Sequence, residues 1–218
     1  WGAMAARIDL VNEVKVHLMR DAMKWLDTVV RDRFRSTSNI TYADSTVTSV
    51  LSYTSAAGFS ANLEMVKRGR QALADREWAP FPNGRYTLLV PTIFDTQMLA
   101  DVTYQRLSAF KDAGRNQLYG YIGSIHNVDI FEVTTLKTYS AGDSVPGDAN
   151  VVQSGATVYE ALLIGPGAVA FGSPTGFEAF YADDTDYGKY AKVIWRLTGA
   201  LQTVDSRGIQ RLLFQNAS

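Results

Sequence analysis

The stretch VYEALLIGPGAVAFG, Val158–Gly172, places an apolar run directly before closely spaced small residues. Gly165, Gly167 and Ala170 fit the G-x-G-x-x-A outline of a turn that binds the pyrophosphate of a dinucleotide. The stretch therefore decides between a nucleotide enzyme and a fold in which these small residues serve packing.

The residues after the turn argue against the nucleotide enzyme. The fingerprint requires a long helix that begins at the turn and holds the pyrophosphate at its N-terminus. Here Pro174 and Gly176 would end such a helix early, and fewer than fifty residues remain for the rest of a doubly wound sheet. We therefore predict a short helix opened by Pro166, whose small residues pack closely against a sheet.

Composition excludes several classes of catalyst. The chain has no cysteine, which excludes thiolate chemistry and disulfides, and its two histidines, His17 and His126, lie far apart in sequence. The sequence contains neither a G-x-S-x-G elbow nor a P-loop motif. A net charge of −1 gives no general affinity for nucleic acid or membranes. We therefore expect a non-enzymatic protein with no catalytic residue, cofactor, metal or membrane contact.

Two local charge patterns leave a functional alternative open. The segment DDTDYGK places Asp183, Asp184 and Asp186 much as a calcium loop begins, but the late Glu of such a loop is missing. We predict a solvated hairpin turn, with metal binding as the alternative. Two basic clusters are predicted to lie on exposed helix faces, with weak phosphate contact as the alternative. Their basic residues are Arg31, Arg33, Arg35, Lys67, Arg68 and Arg70.

A long amphipathic helix dominates the N-terminal part of the chain. No Pro or Gly occurs between Ala3 and Ala57, and apolar residues recur at three- and four-residue steps, which predicts a helix over residues 3–35. Asp27 and Arg31 have the favourable i,i+4 order. The charged face of this helix carries Asp9, Glu13, Arg20, Lys24, Asp27 and Arg31.

The remaining patterns mix helices and strands without a regular βαβ alternation, which predicts an α+β fold. Helices are predicted over residues 60–77 and 92–111, and strands over 86–90, 127–136, 158–164 and 208–214, with an antiparallel pair on either side of the acidic turn. A capping box of Thr92 and Asp95 is expected to begin the second of these helices. Glu64 is expected to pair with Arg68 on the first.

Taken in order, these elements resemble the major capsid proteins of tailed bacteriophages, podovirus-like phages in particular, whose fold is shared with herpesvirus capsids. The resemblance rests on several stretches together. ARIDLVNEVKVHLMRDAMKWLDTVV looks like the long spine helix of the family, and VYEALLIGPGAVAFG is similar to its L-x-x-G-x-x-A-x-G passage. The other stretches are FSANLEMVKRGRQAL, PFPNGRYTLLVPTIFDTQMLAD, GYIGSIHNVDIFEVTTL and KVIWRLTGALQTVDSRGIQRLLF.

The resemblance implies a two-domain architecture. Residues 1–57 with 178–218 would form a peripheral domain on the spine helix, and residues 58–177 an axial domain around the five- and six-fold axes. The family's N-terminal arm and extended loop precede the spine helix, so we expect both to lie outside this chain. Their absence weighs against self-assembly by this stretch alone. The loop 137–156 is expected to face outward or to lie at a symmetry axis.

The function implied by the resemblance is to tile a closed icosahedral shell around double-stranded viral DNA. The implied partners are further copies in hexamers and pentamers, a portal, scaffold or decoration proteins, and packaged DNA held non-specifically. The implied place is the virion capsid, assembled in the host cytoplasm. The six charged residues of the long helix are then the candidates for contacts between subunits, which would orient more than they bind.

Two alternatives stay open at this point. An encapsulin-like shell shares the capsid fold but encloses enzyme cargo, so packaged DNA or packaged protein would discriminate the two shell types. A non-viral α+β binding module would use the long helix to dock one partner, and a monomer with a ligand-dependent melting shift would favour it.

Overall fold

The structure is a computed structural model that describes residues 2–54, 58–101, 121–185 and 190–216. Its described helices are α1 (Gly2–Phe34), α2 (Leu63–Asp75) and α3 (Thr92–Ala100). The strands are β1 (Ile40–Tyr42), β2 (Tyr86–Val90), β3 (Tyr121–Ile125), β4 (Val128–Glu132), β5 (Thr138–Tyr139), β6 (Val158–Ile164), β7 (Val169–Thr185), β8 (Tyr190–Thr203) and β9 (Ile209–Gln215). The fold is α+β, as the sequence predicts.

A mixed sheet forms the larger part of the fold. Its strand order is β1-β9-β6-β2-β4-β3, and β5 adds a short pairing to β6. The pairs β1–β9 and β2–β4 are parallel, whereas β6 runs antiparallel to both β2 and β9. Every residue of β9 is buried, and β6 is nearly so, because these two strands lie inside the sheet with further strands on both sides.

Helix α2 covers part of this sheet. The Asn62 side chain begins the helix by accepting a 2.8 Å hydrogen bond from the Met65 amide. Its buried face includes Gly69, where an added Cβ would lie 2.7 Å from the Leu212 side chain of β9. A residue without a side chain therefore lets the helix approach the sheet closely.

The chain divides into two compact units. The helix unit contains Trp1–Arg33 and Ala170–Gln202, and the sheet unit contains Phe34–Val169 and Thr203–Ser218. These boundaries differ from the predicted 1–57 plus 178–218 and 58–177. The difference arises because β1 and β9 hydrogen-bond into the mixed sheet and so belong with it.

The long helix is confirmed to within one residue at each end, whereas the short helix at Pro166 is wrong. The chain instead turns at residues 166 and 167, with Gly167 at φ +72°, and continues into β7 from Val169. A glycine with positive φ is typical of a turn, and such a residue ends a right-handed helix.

The expected capping box is also wrong. Pro91 precedes α3 without a side-chain cap, and the Thr92 hydroxyl donates instead to Glu132 at 2.6 Å. This helix ends at Ala100, and the rest of its predicted span, residues 102–111, lies outside the described residues.

The expected pair of Glu64 with Arg68 does not form. Arg68 donates to the Tyr42 and Ala43 carbonyl oxygens at 2.8 Å, while Glu64 pairs with Lys67 at 3.6 Å. Arg68 turns inward because α2 packs beside β1, whose end presents these two carbonyls.

Candidate functional site

The glycine turn after β6 is filled by the chain's own aromatic side chain. A Cβ added at Gly165 would lie 2.4 Å from the Trp78 ring, and one added at Gly208 would lie 2.5 Å from it. The Gly165 amide also donates to the Gly208 carbonyl at 2.8 Å. The guanidinium of Arg207 lies over the same indole at 5.9 Å from the ring centroid. The glycines of the turn therefore leave room for the Trp78 ring, and their role is packing, as the sequence predicts.

A buried ionic cluster joins β6 and β9. Glu160 and Arg211 are both 0% exposed, and the Arg211 Nε donates to Glu160 Oε1 at 2.5 Å. The two are diagonal neighbours, because Arg211 lies opposite Leu162, two residues from Glu160 on the same face of β6. Arg211 Nη1 also donates to the Thr37 carbonyl at 3.3 Å and to the Pro146 carbonyl. The cluster thus ties two strands and two loops together.

Arg35 and Tyr139 complete this cluster. Arg35 Nε donates to Glu160 Oε2 at 2.9 Å, and the Tyr139 hydroxyl donates to the same oxygen at 2.9 Å. Burial acts to lower the pKa of Arg35, but its hydrogen bond to Tyr139 and the Glu160 charge outweigh it and raise the pKa. Burial and the Glu160 charge raise the pKa of Tyr139 to about 12. Arg35 and Tyr139 therefore keep fixed protonation states at neutral pH, which suits structure rather than proton transfer.

Asp148 links the loop 137–156 to β1 and to the segment that follows β1. Its carboxylate accepts hydrogen bonds from the Tyr42 hydroxyl at 2.7 Å, the Val50 amide at 2.8 Å and the Asn150 amide at 2.9 Å. Burial acts to raise the pKa of Asp148, but these hydrogen bonds outweigh it and hold the pKa below its ordinary value. The loop is therefore built into the sheet unit by a charged side chain.

The helix unit carries an apolar groove between α1 and the ribbon of β7 and β8. Met19, Met23 and Phe171 line it and are 53%, 59% and 49% exposed. The groove encloses about 370 Å³. Its remaining lining residues are Ala22, Leu26, Ser173, Gly176, Trp195 and Leu197. Large exposed apolar surfaces of this kind mark interaction sites.

The charged candidates of the long helix share one stripe beside this groove. At about 100° per residue, the six positions fall within about 60° of one another around the helix axis. Glu13, Arg20, Lys24 and Asp27 are exposed, and Arg31 is partly exposed and pairs with Asp32 at 3.0 Å. Asp9 lies on α1, but its side chain is outside the described part of the chain. The structure thus brings the candidates to one face of α1. Among the described residues, neither Arg20 nor Asp27 forms a salt bridge within the chain.

The structure places the residues of the two basic clusters in different surroundings. Arg35 is drawn into the buried cluster, so its predicted place on an exposed helix face is wrong. Its partner Glu160 lies 125 residues away along the chain, which no local pattern reveals. On α2, Lys67 and Arg70 lie near His126, whose pKa is lowered by burial and then by these two charges. His126 is therefore neutral at pH 7.

The remaining candidates belong to no site within the described part of the chain. Asp183 and Asp184 lie on β7 with side chains outside the described part, and Asp186 is not among the described residues. His17 is exposed on α1. Within the described residues, no group of three or more acidic or histidine side chains is placed to hold a metal ion. No helix in that part of the chain combines the length and the apolar character needed to cross a membrane.

Sequence reasoning missed both Glu160–Arg211 and the groove. A signal existed for the first, because each residue is a lone charge within an otherwise mostly apolar strand, and buried charges are paired. The groove had a weaker signal. Val16, Met19, Met23 and Val30 repeat at helical spacing on α1, beside the apolar stripe that contains Ala22 and Val29.

Comparisons with known proteins identify the fold. No protein-family model matches the sequence, and neither does any curated protein. The structure matches the capsid structure of Helicobacter pylori bacteriophage KHP30 with a TM-score of 0.68 at 15% identity, over 97% of this chain and 70% of that one. It matches the head structure of Helicobacter pylori bacteriophage KHP40 with a TM-score of 0.69 at 16% identity, over 96% and 70%.

A third match extends the likeness to a different host. The capsid of Ralstonia phage GP4 superposes with a TM-score of 0.59 at 16% identity, over 83% of this chain and 53% of that chain. At such identities the likeness establishes the fold. The chain has the fold of phage capsid proteins, as the resemblance predicts.

Proposed function

We propose that this chain is the major coat subunit of a tailed phage, and that it assembles with copies of itself into an icosahedral shell around double-stranded DNA. The observation that carries the proposal is the likeness to phage capsid structures over 97% of the chain. A match of this extent includes the long helix and the mixed sheet together, so it does not rest on one common motif. The proposed role is structural and non-catalytic.

The physical character of the sheet unit supports this role. A shell subunit carries mechanical load through its fold, and the sheet unit is cross-tied by the Glu160–Arg211 pair and by Asp148. Both ties join segments far apart in sequence. Ionic ties of this sort fix one arrangement of the backbone, because a shifted strand would leave a buried charge without a partner.

The helix unit has the properties of a contact surface. It exposes Met19, Met23 and Phe171 beside a stripe of mixed charge. We propose that this stripe, Asp9, Glu13, Arg20, Lys24, Asp27 and Arg31, contacts neighbouring subunits. Exposed ion pairs contribute less than about 1 kcal/mol each, so they would select orientation, and repetition over the shell would make them matter.

The predicted domain roles become part of the proposal. The helix unit would correspond to the peripheral domain and most of the sheet unit to the axial domain, with the boundaries of the compact units. Further partners would be a portal, scaffold or decoration proteins, and DNA held non-specifically. A net charge of −1 suits a shell that encloses DNA without gripping it. The subunit would assemble in the host cytoplasm and reside in the virion.

Cryo-electron microscopy of the native particle that contains this chain tests the proposal. The expected result is a closed icosahedral shell in which the described fold occupies every coat position and nuclease-resistant DNA fills the interior. A small oligomer of the full-length protein, or a particle in which this chain lies off the shell, would overturn the proposal. A shell filled with protein in place of DNA would replace it with an encapsulin-like role.

A further inference from the structure

Helix α1 carries a second apolar stripe beside the one that contains Ala22 and Val29. Val16, Met19, Met23, Leu26 and Val30 follow one another at alternating three- and four-residue steps. This is the spacing of a coiled-coil seam, in which one helix packs lengthwise on another. Val16, Met19 and Met23 are 53%, 53% and 59% exposed. The stripe, called the seam below, is thus left largely exposed at these three residues, whereas Leu26 and Val30 are partly buried.

The ribbon of β7 and β8 gives the seam an apolar wall on one side. Phe171, Trp195 and Leu197 line the groove of about 370 Å³ that runs beside Met19 and Met23. The Trp195 ring is itself held against Trp25 of α1, with ring centroids 5.6 Å apart. The groove therefore offers an apolar lining that can receive apolar side chains of a second helix.

The charges beside the seam select the occupant and its direction. Arg20 and Asp27 both flank the seam on the side away from Ala22, and both are exposed. Consider a second α1 that runs antiparallel, with Met23 of each copy packed against Leu26 of the other. The two-fold axis then places Arg20 of each copy opposite Asp27 of the other. A parallel in-register pair would instead place Lys15 opposite Arg20, which is repulsive. The seam is complementary to itself only in the antiparallel direction.

We propose that α1 of one subunit packs antiparallel on α1 of a second copy along this seam, across a two-fold axis, with two reciprocal Arg20–Asp27 ion pairs. This inference rests on the proposed function, since it names a contact within the shell. The inference gives Arg20 and Asp27, two of the predicted contact residues, defined partners. These two residues would then set the relative orientation of the two subunits.

Charge exchange on α1 tests the pairing. In full-length protein assembled into particles, Arg20→Asp or Asp27→Arg alone turns each attraction into a repulsion. Each variant should raise the protein concentration needed for particle formation by about tenfold, since 1.4 kcal/mol corresponds to a factor of ten. The double variant R20D/D27R restores both attractions in exchanged order and should return to within about threefold of the original protein. Lys24→Asp is the matched control, because it makes the same charge change outside the seam, and Asp27→Arg should not rescue any assembly defect that it causes.

Cysteine cross-linking gives a second readout that does not depend on assembly yield. The chain has no native cysteine. In the proposed register Met19 lies against Val30 of the second copy, so M19C/V30C should give disulfide-linked dimers in intact particles. The same two positions within one helix are about 16 Å apart, too far for an internal disulfide. Each single variant, M19C or V30C, should stay monomeric on a non-reducing gel.

The outcomes separate this inference from the proposed function. Failure of the original protein to form a shell overturns the function. Normal shells without the M19C/V30C dimer, or single charge variants that the double variant does not rescue, overturn the antiparallel contact and leave the function standing. Rescue together with a specific dimer supports it.

Discussion

Replacing Glu160 by Gln should destabilise the sheet unit more than any exposed charge change. The substitution keeps the shape of the side chain but removes the carboxylate on which Arg211, Arg35 and Tyr139 converge at 2.5, 2.9 and 2.9 Å. One carboxylate oxygen becomes an amide NH₂ group, which faces donors and cannot accept from them.

The magnitude follows from the exposure of the groups left behind. Arg211 is 0% exposed and cannot turn toward water, whereas Arg35 is 13% exposed and can be solvated in part. Breaking a buried pair by removing one partner costs about 3–5 kcal/mol. For a chain of this length, each kcal/mol lowers the melting temperature by about 2–4 °C, so we expect a decrease of about 6–20 °C.

Thermal unfolding of Glu160→Gln beside Glu178→Gln checks this reasoning. Glu178 pairs with Arg196 at 3.1 Å, but both side chains are largely exposed, at 41% and 61%. The same chemical change there should cost less than about 1 kcal/mol. If the two variants melt within about 2 °C of each other, the buried cluster does not hold the sheet unit as argued.

Three further predictions concern turns and loops. Gly165→Ala should lower stability by about 1–3 kcal/mol because the new methyl group meets the Trp78 ring, whereas Gly172→Ala, which has open space, should change it little in a melting assay. The lowered pKa of Asp148 means that its stabilisation is full above the ordinary carboxyl pKa and is lost as pH falls through the lowered value. The melting temperatures of the original protein and Asp148→Asn should therefore converge between about pH 4 and the lowest pH tolerated, and a constant gap would contradict this. Asn127 has φ +62°, so Asn127→Val should lose about 1–2 kcal/mol while Asn127→Gly is tolerated, and equal melting of the two would refute the strain argument.

The sequence predicted those elements whose determinants are local. Helix α1 was placed to within one residue at each end because an unbroken amphipathic pattern without Pro or Gly specifies it. Strand β2 was placed at Tyr86–Val90 because an apolar run between turn residues has few other solutions. The class of fold followed from the order of such elements.

The remainder depended on contacts that local pattern does not encode. Arg35 was assigned to an exposed face because nothing near it in sequence indicates its partners, Glu160 and Tyr139. The compact units depart from the predicted boundaries at 57 and 177 for the same reason, since β1 joins its sheet through β9, a strand far along the chain. Gly165 was correctly given a packing role, but its neighbour Trp78 lay outside any motif.

The position of β9 within the sheet has a consequence for synthesis on the ribosome. This strand lies between β1 and β6, pairing Arg211 with Ile40 on one side and Leu162 on the other. While residues 165–208 are still being translated, both neighbours present unpaired strand edges, and Glu160 is without Arg211. At about 5–20 residues per second this interval lasts on the order of 2–9 s. A nascent chain with open edges is prone to pair with its neighbours on a polysome, so we expect holding chaperones to be engaged until β9 is inserted.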